Sequence, residues 1–261
     1  MSTKQKITYV FGLFLLMICI TGVVVLTSFN SAKQKNLPCP AVEISIDHEN
    51  GIFFLEESDI TSMLVKQFGD SVTGDNIKTI QLSRIENIIE TNAFVKDAET
   101  FLDMQGTLHI NIIQKEPIAR IINKYGVNYY ITENRNKFPL NNKFTCRVPV
   151  ITGHIEEGLG NADTLATKTV QDIFKLIQFI RKNELWNAQT EQVYVNENNQ
   201  FEIIPKIGAH TILFGNIENM EKKFENLETF YTEGLNYVGW EKYKTINVSI
   251  LNQIICTKKD T

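Results

Sequence analysis

The feature that most constrains this chain is an apolar run near its start, at residues 7–26. The run holds no charged residue, and a helix that crosses about 30 Å of hydrocarbon needs about 20 such residues. Only a helix satisfies its own backbone hydrogen bonds within lipid. The sequence therefore predicts one transmembrane helix at residues 7–29, followed by a large hydrophilic region.

The orientation of this helix follows from the order of the segments. Lys4 and Lys6 precede the run and Lys33 and Lys35 follow it, so the positive charges nearly balance. A short tail before the helix and a long hydrophilic region after it are typical of a signal anchor. We expect residues 1–6 in the cytoplasm and the large region outside it. The alternative is a cleaved signal peptide, but the run exceeds the usual 7–15 apolar residues.

After a linker at residues 30–41, residues 42–116 show the pattern of a small α+β domain. Apolar and polar residues alternate at 42–46 and 108–112, as in half-buried strands. Helical spacing appears at 60–68 and 85–89, where Ser83 and Glu86 have capping-box spacing. A strand at 95–102 precedes a Gln105-Gly106 turn. The order predicts two helices on one face of a three-stranded sheet.

Residues 117–256 predict a second domain, a mostly antiparallel sheet with flanking helices, before a polar tail at 257–261. The evidence is a series of short apolar strands separated by turns, with two stretches of helical spacing. The predicted strands lie at 118–122, 127–131, 148–151, 193–195, 201–204, 210–214 and 245–256, and the helices at 170–180 and 220–231.

Composition and motifs give no sign of catalysis. The formal net charge of −4 argues against a nucleic-acid partner, which normally needs a basic face. No metal-site spacing, nucleophile motif or phosphate-binding loop occurs. The histidines are isolated from one another in sequence; they are His48, His109, His154 and His210. We expect no enzymatic activity, no cofactor, no metal and no small-molecule substrate.

The four cysteines do not form a recognisable site. They are Cys19, Cys39, Cys146 and Cys256, and none belongs to a Cys-x-x-Cys pair. We interpret all four as structural. A bridge between Cys146 and Cys256 stays open at this point.

Motifs in a fixed order run through residues 85–254. The first group lies at 85–99, 106–110 and 114–120 and ends in Gln-Lys-Glu-Pro-Ile-Ala-Arg. The second, at 129–153, contains Tyr-Tyr-Ile, Phe-Pro-Leu and Val-Pro-Val-Ile-Thr-Gly, and the third lies at 230–254. Together they resemble the FtsQ/DivIB family of cell-division proteins, in particular the FtsQ proteins of the Bacteroidetes type.

This resemblance implies an architecture and a function. Residues 42–116 would form the family's POTRA domain, and residues 117–256 its β domain. The family implies a non-enzymatic divisome scaffold that binds FtsB and FtsL, which are single-pass proteins, and helps to regulate septal cell-wall synthesis. The chain would lie in the cytoplasmic membrane at the division septum. The alternatives are another anchored POTRA-type protein of envelope transport or chaperoning, and a membrane-anchored hydrolase.

The sequence differs from the family's motifs at two places, which limits the residue contacts that can be inferred from the family. The glycine of the turn after the tyrosine strand is missing at 132–135. The last strand reads Asn-Val-Ser-Ile at 247–250, where proteobacterial members carry an acidic-Leu-Arg-Tyr pattern. Side-chain contacts of that strand are therefore not transferred from the family.

The predicted partner site is the last strand, at residues 245–255. We expect this strand at a sheet edge, where its main chain captures a strand of an FtsB-like partner. Ile246, Val248 and Ile250 are expected to face the core. The predicted partner-binding residues are Trp240, Tyr243, Thr245, Asn247, Ser249, Leu251 and Gln253. Two interpretations stay open for Trp240 and Tyr243, as interface anchors or as core residues beside the last helix.

Overall fold

The computed structural model describes residues 16–18, 20–21, 37–69, 72–160 and 164–259. Within these ranges no helix is both long and apolar enough to cross a membrane. Apart from five residues, the predicted transmembrane helix at 7–29 lies outside the described part. The chain forms two units: the first contains Met1–His48 and Leu55–Gln114, and the second contains Glu49–Phe54 and Lys115–Thr261.

The first unit has the predicted order of elements. Its strands and helices are β1 (Val42–Ile46), α1 (Glu57–Phe68), α2 (Leu82–Glu90), β2 (Val95–Leu102) and β3 (Leu108–Gln114). The sheet order is β1-β3-β2, with β1 parallel and β2 antiparallel to β3. Alternation along β3 buries Leu108, Ile110 and Ile112. The predicted α+β arrangement is confirmed for this unit.

The two helices of the first unit differ at their ends. Helix α1 ends at Gly69, which adopts the left-handed conformation (φ 81°) that glycine often provides at the end of a helix. Helix α2 begins at Leu82, so Ser83 lies inside it and the predicted capping box is wrong. Glu86 instead accepts hydrogen bonds from the amide and hydroxyl of Thr100, at 2.8 and 3.1 Å.

The second unit is built on a mixed sheet. Its described strands are β4 (Pro117–Ile122), β5 (Asn128–Thr132), β6 (Lys137–Pro139), β7 (Val150–Gly153), β8 (Thr190–Val195), β9 (Phe201–Pro205), β10 (Thr211–Gly215), β11 (Tyr243–Asn247) and β12 (Ile255–Lys258). The helices are α3 (Lys168–Lys182), α4 (Glu184–Gln189), α5 (Met220–Thr229), a π-helical turn (Phe230–Gly234) and α6 (Leu235–Val238).

These nine described strands lie in the order β12-β11-β10-β9-β8-β7-β4-β5-β6. Five of their eight pairs are antiparallel, and β4/β7, β7/β8 and β10/β11 are parallel. The core joins the sheet to α3, α4 and α5, whose apolar faces are buried. Gly153 at the end of β7 has φ 109°, and a Cβ there would lie 2.1 Å from the Val195 carbonyl oxygen. Only glycine fits that approach.

A short segment of the chain was not predicted to belong to the second unit. Glu49–Phe54 follows β1 in sequence, yet it is part of the second unit. Phe54 is buried there, and its ring lies 5.7 Å from that of Phe138 and 5.8 Å from that of Tyr130. The Asn141 side chain donates to the Phe54 carbonyl at 2.8 Å. An aromatic cluster thus fixes this segment beside β5 and β6.

Candidate functional site

The predicted last strand at residues 245–256, which contains the predicted partner site, is not one strand. The structure forms β11 up to Asn247, then a turn, and then β12 from Ile255. Strand β12 also includes two residues of the predicted polar tail at 257–261. The C-terminal segment therefore folds back and pairs antiparallel with itself, Ile246 opposite Cys256.

Local side-chain bonding explains why the strand breaks. The Asn247 Oδ1 atom accepts hydrogen bonds from the amide and hydroxyl of Ser249, at 2.9 and 2.7 Å. Such a bond two residues ahead competes with the strand ladder. Further on, Asn252 adopts φ 60°, a left-handed conformation that asparagine tolerates. These contacts turn the chain before β12.

The break changes which strand lies at the edge. Strand β11 has neighbours on both sides, because β10 pairs with it in parallel and β12 in antiparallel orientation. The prediction that residues 245–255 form an edge strand is therefore wrong for β11. The outermost strand on this side of the sheet is β12.

The direction of the β12 backbone groups follows from one hydrogen bond. The Lys259 amide donates to the Lys242 carbonyl at 3.1 Å, which directs it toward β11. Because neighbouring residues of a strand direct their N–H and C=O groups to opposite sides, the groups of Ile255 and Thr257 also face β11. The groups of Cys256 and Lys258 then point away from the sheet. These are the groups that an added strand would bind.

Both predicted aromatic anchors pack against the core of the second unit. Trp240 is half-buried, and its ring makes an edge contact with Tyr231 at 5.1 Å. Tyr243 is also half-buried, with its ring 6.0 Å from that of Phe230. These contacts favour the core interpretation for much of each ring. The exposed remainder lies at the start of β11, one strand in from the edge.

The other predicted partner-binding residues divide between ladder and turn. Thr245 lies opposite Thr211 on one side and Thr257 on the other. Asn247 and Ser249 bind each other, so the Ser249 amide is not directed outward. Leu251 and Gln253 are exposed residues of the turn.

The prediction of core-facing residues is confirmed at two of three positions. Ile246 and Val248 are buried, at 0 and 1 % exposed. Ile250, which should have continued the alternation, is 47 % exposed because it lies in the turn. Leu251 and Ile255 are exposed to a similar extent, so the turn and the start of β12 present apolar surface.

A groove that the sequence did not predict opens next to the start of β12. It encloses about 440 Å³ between α5 with its π-helical turn and the turn before β12. Its lining residues are Asn226, Thr229, Phe230, Glu233, Gly234, Asn252 and Ile254. A Cβ at Gly234 would lie 2.7 Å from the Phe230 ring. The rare π-helical turn was the feature that sequence spacing could not show.

A buried histidine lies behind the aromatic residues of this region. His210 is 4 % exposed, and its Nε2 lies 2.6 Å from the Tyr231 hydroxyl. Its Nδ1 has no hydrogen-bond partner. Burial lowers the pKa of His210, and the nearby Lys259 lowers it further, while Glu241 acts in the opposite direction. Burial therefore favours the neutral form of the ring.

The remaining cysteines and acidic groups do not assemble a metal site in the described residues. No group of three or more His, Cys, Asp or Glu side chains there could hold a metal ion. Cys39, Cys146 and Cys256 are free thiols, so the bridge between Cys146 and Cys256 is not formed. Burial raises the pKa of Cys146 and of Cys256.

The fold defines a class of protein that joins a POTRA-like domain to a mixed-sheet domain. Residues 37–113 match the family model of the POTRA-like domain, which agrees with the sheet order of the first unit. Residues 116–257 match the model of the FtsQ/DivIB C-terminal related domain.

The second match covers more than half of the chain, and the chain therefore belongs to the FtsQ/DivIB family, which consists of non-enzymatic cell-division proteins. A search among curated proteins finds no match to it. The family predicted from the motifs at 85–254 is confirmed.

Proposed function

We propose that this protein is a divisome scaffold that holds a strand of an FtsB-like partner on the free edge of β12. The observation that carries the proposal is the outward direction of the Cys256 and Lys258 backbone groups at the end of a nine-stranded sheet. An extended segment added there would extend the sheet through main-chain hydrogen bonds. This mode tolerates changes in side chains, such as those at residues 247–250.

The groove beside β12 supplies a means of selecting the partner. Strand addition gains specificity when pockets receive alternate side chains of the added segment. Ile254 lines the groove and Ile255 begins β12, so a segment that extends past the start of β12 reaches the groove. Its lining combines the apolar Phe230 and Ile254 with polar residues such as Asn226 and Glu233, which fits a side chain with an apolar body and a polar end.

Charge at the edge favours an acidic partner segment. Positive side chains cluster on the two outer strands and their flanks; they are Lys242, Lys244, Lys258 and Lys259. Lys259 pairs with Glu241 at 3.1 Å. A basic edge attracts acidic segments and deters the edges of other basic strands.

The apolar run at residues 7–26 supports a location at the membrane. We expect this run to anchor the protein in the cytoplasmic membrane, with both units in the periplasm at the septum. FtsB-like and FtsL-like partners anchored in the same membrane would meet the scaffold at a raised effective concentration. Through them the scaffold would help to regulate septal cell-wall synthesis.

The test compares two variants of Lys258 in the full chain. Lys258→Pro removes one outward N–H group, and proline is tolerated on a strand edge where that group faces outward. Lys258→Ala keeps the N–H group and removes the charge. Each variant is purified in detergent, checked by thermal unfolding, and titrated with the FtsB-like protein from the same cells.

We expect Lys258→Pro to unfold like the wild type and to lose at least tenfold in affinity, whereas Lys258→Ala should lose only a few-fold. If Lys258→Pro is folded and binds as tightly as Lys258→Ala, the edge of β12 is not the binding site. If neither wild-type protein nor variant binds, the FtsB-like protein is not the partner.

A further inference from the structure

A second open strand edge lies in the first unit, on β1. The Leu108 amide donates to the Ala41 carbonyl at 3.0 Å, and the Asp47 amide donates to the Ile112 carbonyl at 2.9 Å. Odd-numbered residues of β1 therefore direct their backbone groups to β3, and even-numbered residues direct theirs outward. The outward residues are Val42, Ile44 and Ile46. Among the described residues, no strand pairs with β1 on that side.

On the opposite edge of the same sheet, a side chain covers one of the outward backbone groups. Strand β2 forms that edge, and the Thr100 amide points outward from it. The Glu86 carboxylate of α2 binds both that amide and the Thr100 hydroxyl. A side chain that satisfies an outward donor is one of the ways in which proteins protect an edge. The two edges of this small sheet thus differ, since β2 is protected by Glu86 and β1 has no such cover among the described residues.

The side chains of β1 specify what could pair with it. Val42, Ile44 and Ile46 turn toward the helix side of the sheet but remain only half-buried. Glu43 and Ser45 lie on the other face and are exposed. The Glu43 side chain is 67 % exposed and lies 3.4 Å from His109 Nδ1. An added strand would cover the apolar residues on one face and meet carboxylates on the other.

The charge of residues 37–48 and 55–114, the part of the first unit that contains its sheet and helices, indicates the sign of the partner. Residues 37–48 and 55–114 contain twelve acidic and four basic residues. Residues 49–54 and 115–261 contain eighteen of each. The acidic excess therefore belongs to the first unit, where Asp103 lies 3.2 Å from His109 and adds to the charge near Glu43. Opposite charge favours encounter with a basic segment.

We infer that β1 binds an extended segment of a partner protein in which apolar residues alternate with basic ones. The apolar residues cover Val42, Ile44 and Ile46, and the basic residues lie beside Glu43. This site is separate from the β12 edge, where the charges call for an acidic segment. It does not depend on the function proposed for β12.

The experiment uses the full chain in neutral detergent and a synthetic ten-residue peptide that alternates arginine with valine. Amide hydrogen exchange is followed by NMR with and without the peptide. We expect slower exchange at Val42, Ile44 and Ile46, whose N–H groups gain partners, and little change at Glu43 and Ser45. Slower exchange at β12 alone, or at none of these residues, would overturn the inference.

Charge-reversed variants separate this site from general attraction to an acidic unit. Glu43→Arg should weaken the binding of the arginine peptide roughly two- to fivefold, which is the effect of losing one exposed ion pair. The same variant should bind more tightly to a matched peptide that has glutamate in place of arginine. The control is Glu57→Arg, which makes the same change of net charge at the exposed first residue of α1. If both variants change the affinities equally, or if a scrambled arginine–valine peptide binds as well, the strand-pairing site does not exist.

Discussion

The two edges of the large sheet differ in how accessible they are to another strand. At one end, β6 is three residues long and ends in Pro139, which has no N–H to offer. Phe138 and Lys137 of β6 are buried, at 1 and 3 % exposed. At the other end, β12 contains no proline, and Ile255, Thr257 and Lys258 are exposed. A sheet that closes one edge and leaves the other open has one place for an added strand.

The contrast extends to the lysines of the two edges. Lys137 Nζ lies 2.9 Å from Glu157 Oε1, and both side chains are buried. Burial alone would raise the pKa of Glu157, but hydrogen bonds from Thr167, Ala166 and Lys137 hold it below its ordinary value. Lys258 on β12 is exposed to solvent. The same residue type fixes structure at one edge and remains available for binding at the other.

The largest expected effect is at the closed edge. Lys137→Ala leaves the Glu157 carboxylate buried without its cation, and breaking such a pair costs about 3–5 kcal/mol. We expect a corresponding fall in the free energy of unfolding, measured by denaturant titration. The double variant Lys137→Met/Glu157→Gln removes both charges and should recover part of the loss. A Lys137→Ala protein as stable as the wild type would refute the contrast between the two edges.

The stability of the folded protein should depend on pH through the buried His210. Burial lowers the pKa of His210 in the folded protein, whereas the unfolded side chain titrates near 6.5. Below about pH 6.5 the unfolded state binds the extra proton, so stability should fall as the pH falls, by at most about 1.4 kcal/mol per pH unit for one group.

The control for this effect is His210→Gln, which cannot titrate but can still bind the Tyr231 hydroxyl. Denaturant titrations between pH 7.5 and pH 5 should show a smaller loss of stability for the variant than for the wild type. Equal losses would mean that another group causes the pH dependence.

The smallest expected effects lie on β12 itself. Ile255 is 47 % exposed and Lys258 is exposed, so replacing either by alanine removes few packed atoms. Surface substitutions of this kind usually change stability by less than about 0.5 kcal/mol. Thermal unfolding should therefore place both variants close to the wild type. A loss of several kcal/mol for either residue would show that β12 is a structural strand rather than an open edge.

Much of the fold could be predicted from the sequence because many elements have one apolar face. Alternation at 42–46 and 108–112 and helical spacing at 60–68 each describe an element that is buried on one side. The predicted strands at 193–195 and 201–204 flank an asparagine-rich segment, and Asn199 adopts φ 56° there, a conformation that asparagine tolerates. For these segments the local pattern and the tertiary structure agree.

The candidate site could be predicted only in part, because its pattern continued through a turn. Ile246, Val248 and Ile250 alternate like one strand, although the strand ends at Asn247. The signal that was available is the Asn247–Ser249 pair, which has the spacing of a side-chain-to-backbone turn. The groove depends on the π-helical turn near Phe230 and on residues distant in sequence, which no local pattern shows. The placement of Glu49–Phe54 in the second unit was hidden for the same reason.

The central claim is that a partner strand pairs with the free edge of β12, and amide hydrogen exchange tests it most directly. The full chain is measured alone and in complex with the FtsB-like protein. Exchange should slow at Cys256 and Lys258, whose N–H groups point outward, and stay nearly unchanged at Ile255 and Thr257, which already bind β11. If the complex forms and exchange at Cys256 and Lys258 is unaltered, the partner binds elsewhere and the account of this edge is wrong.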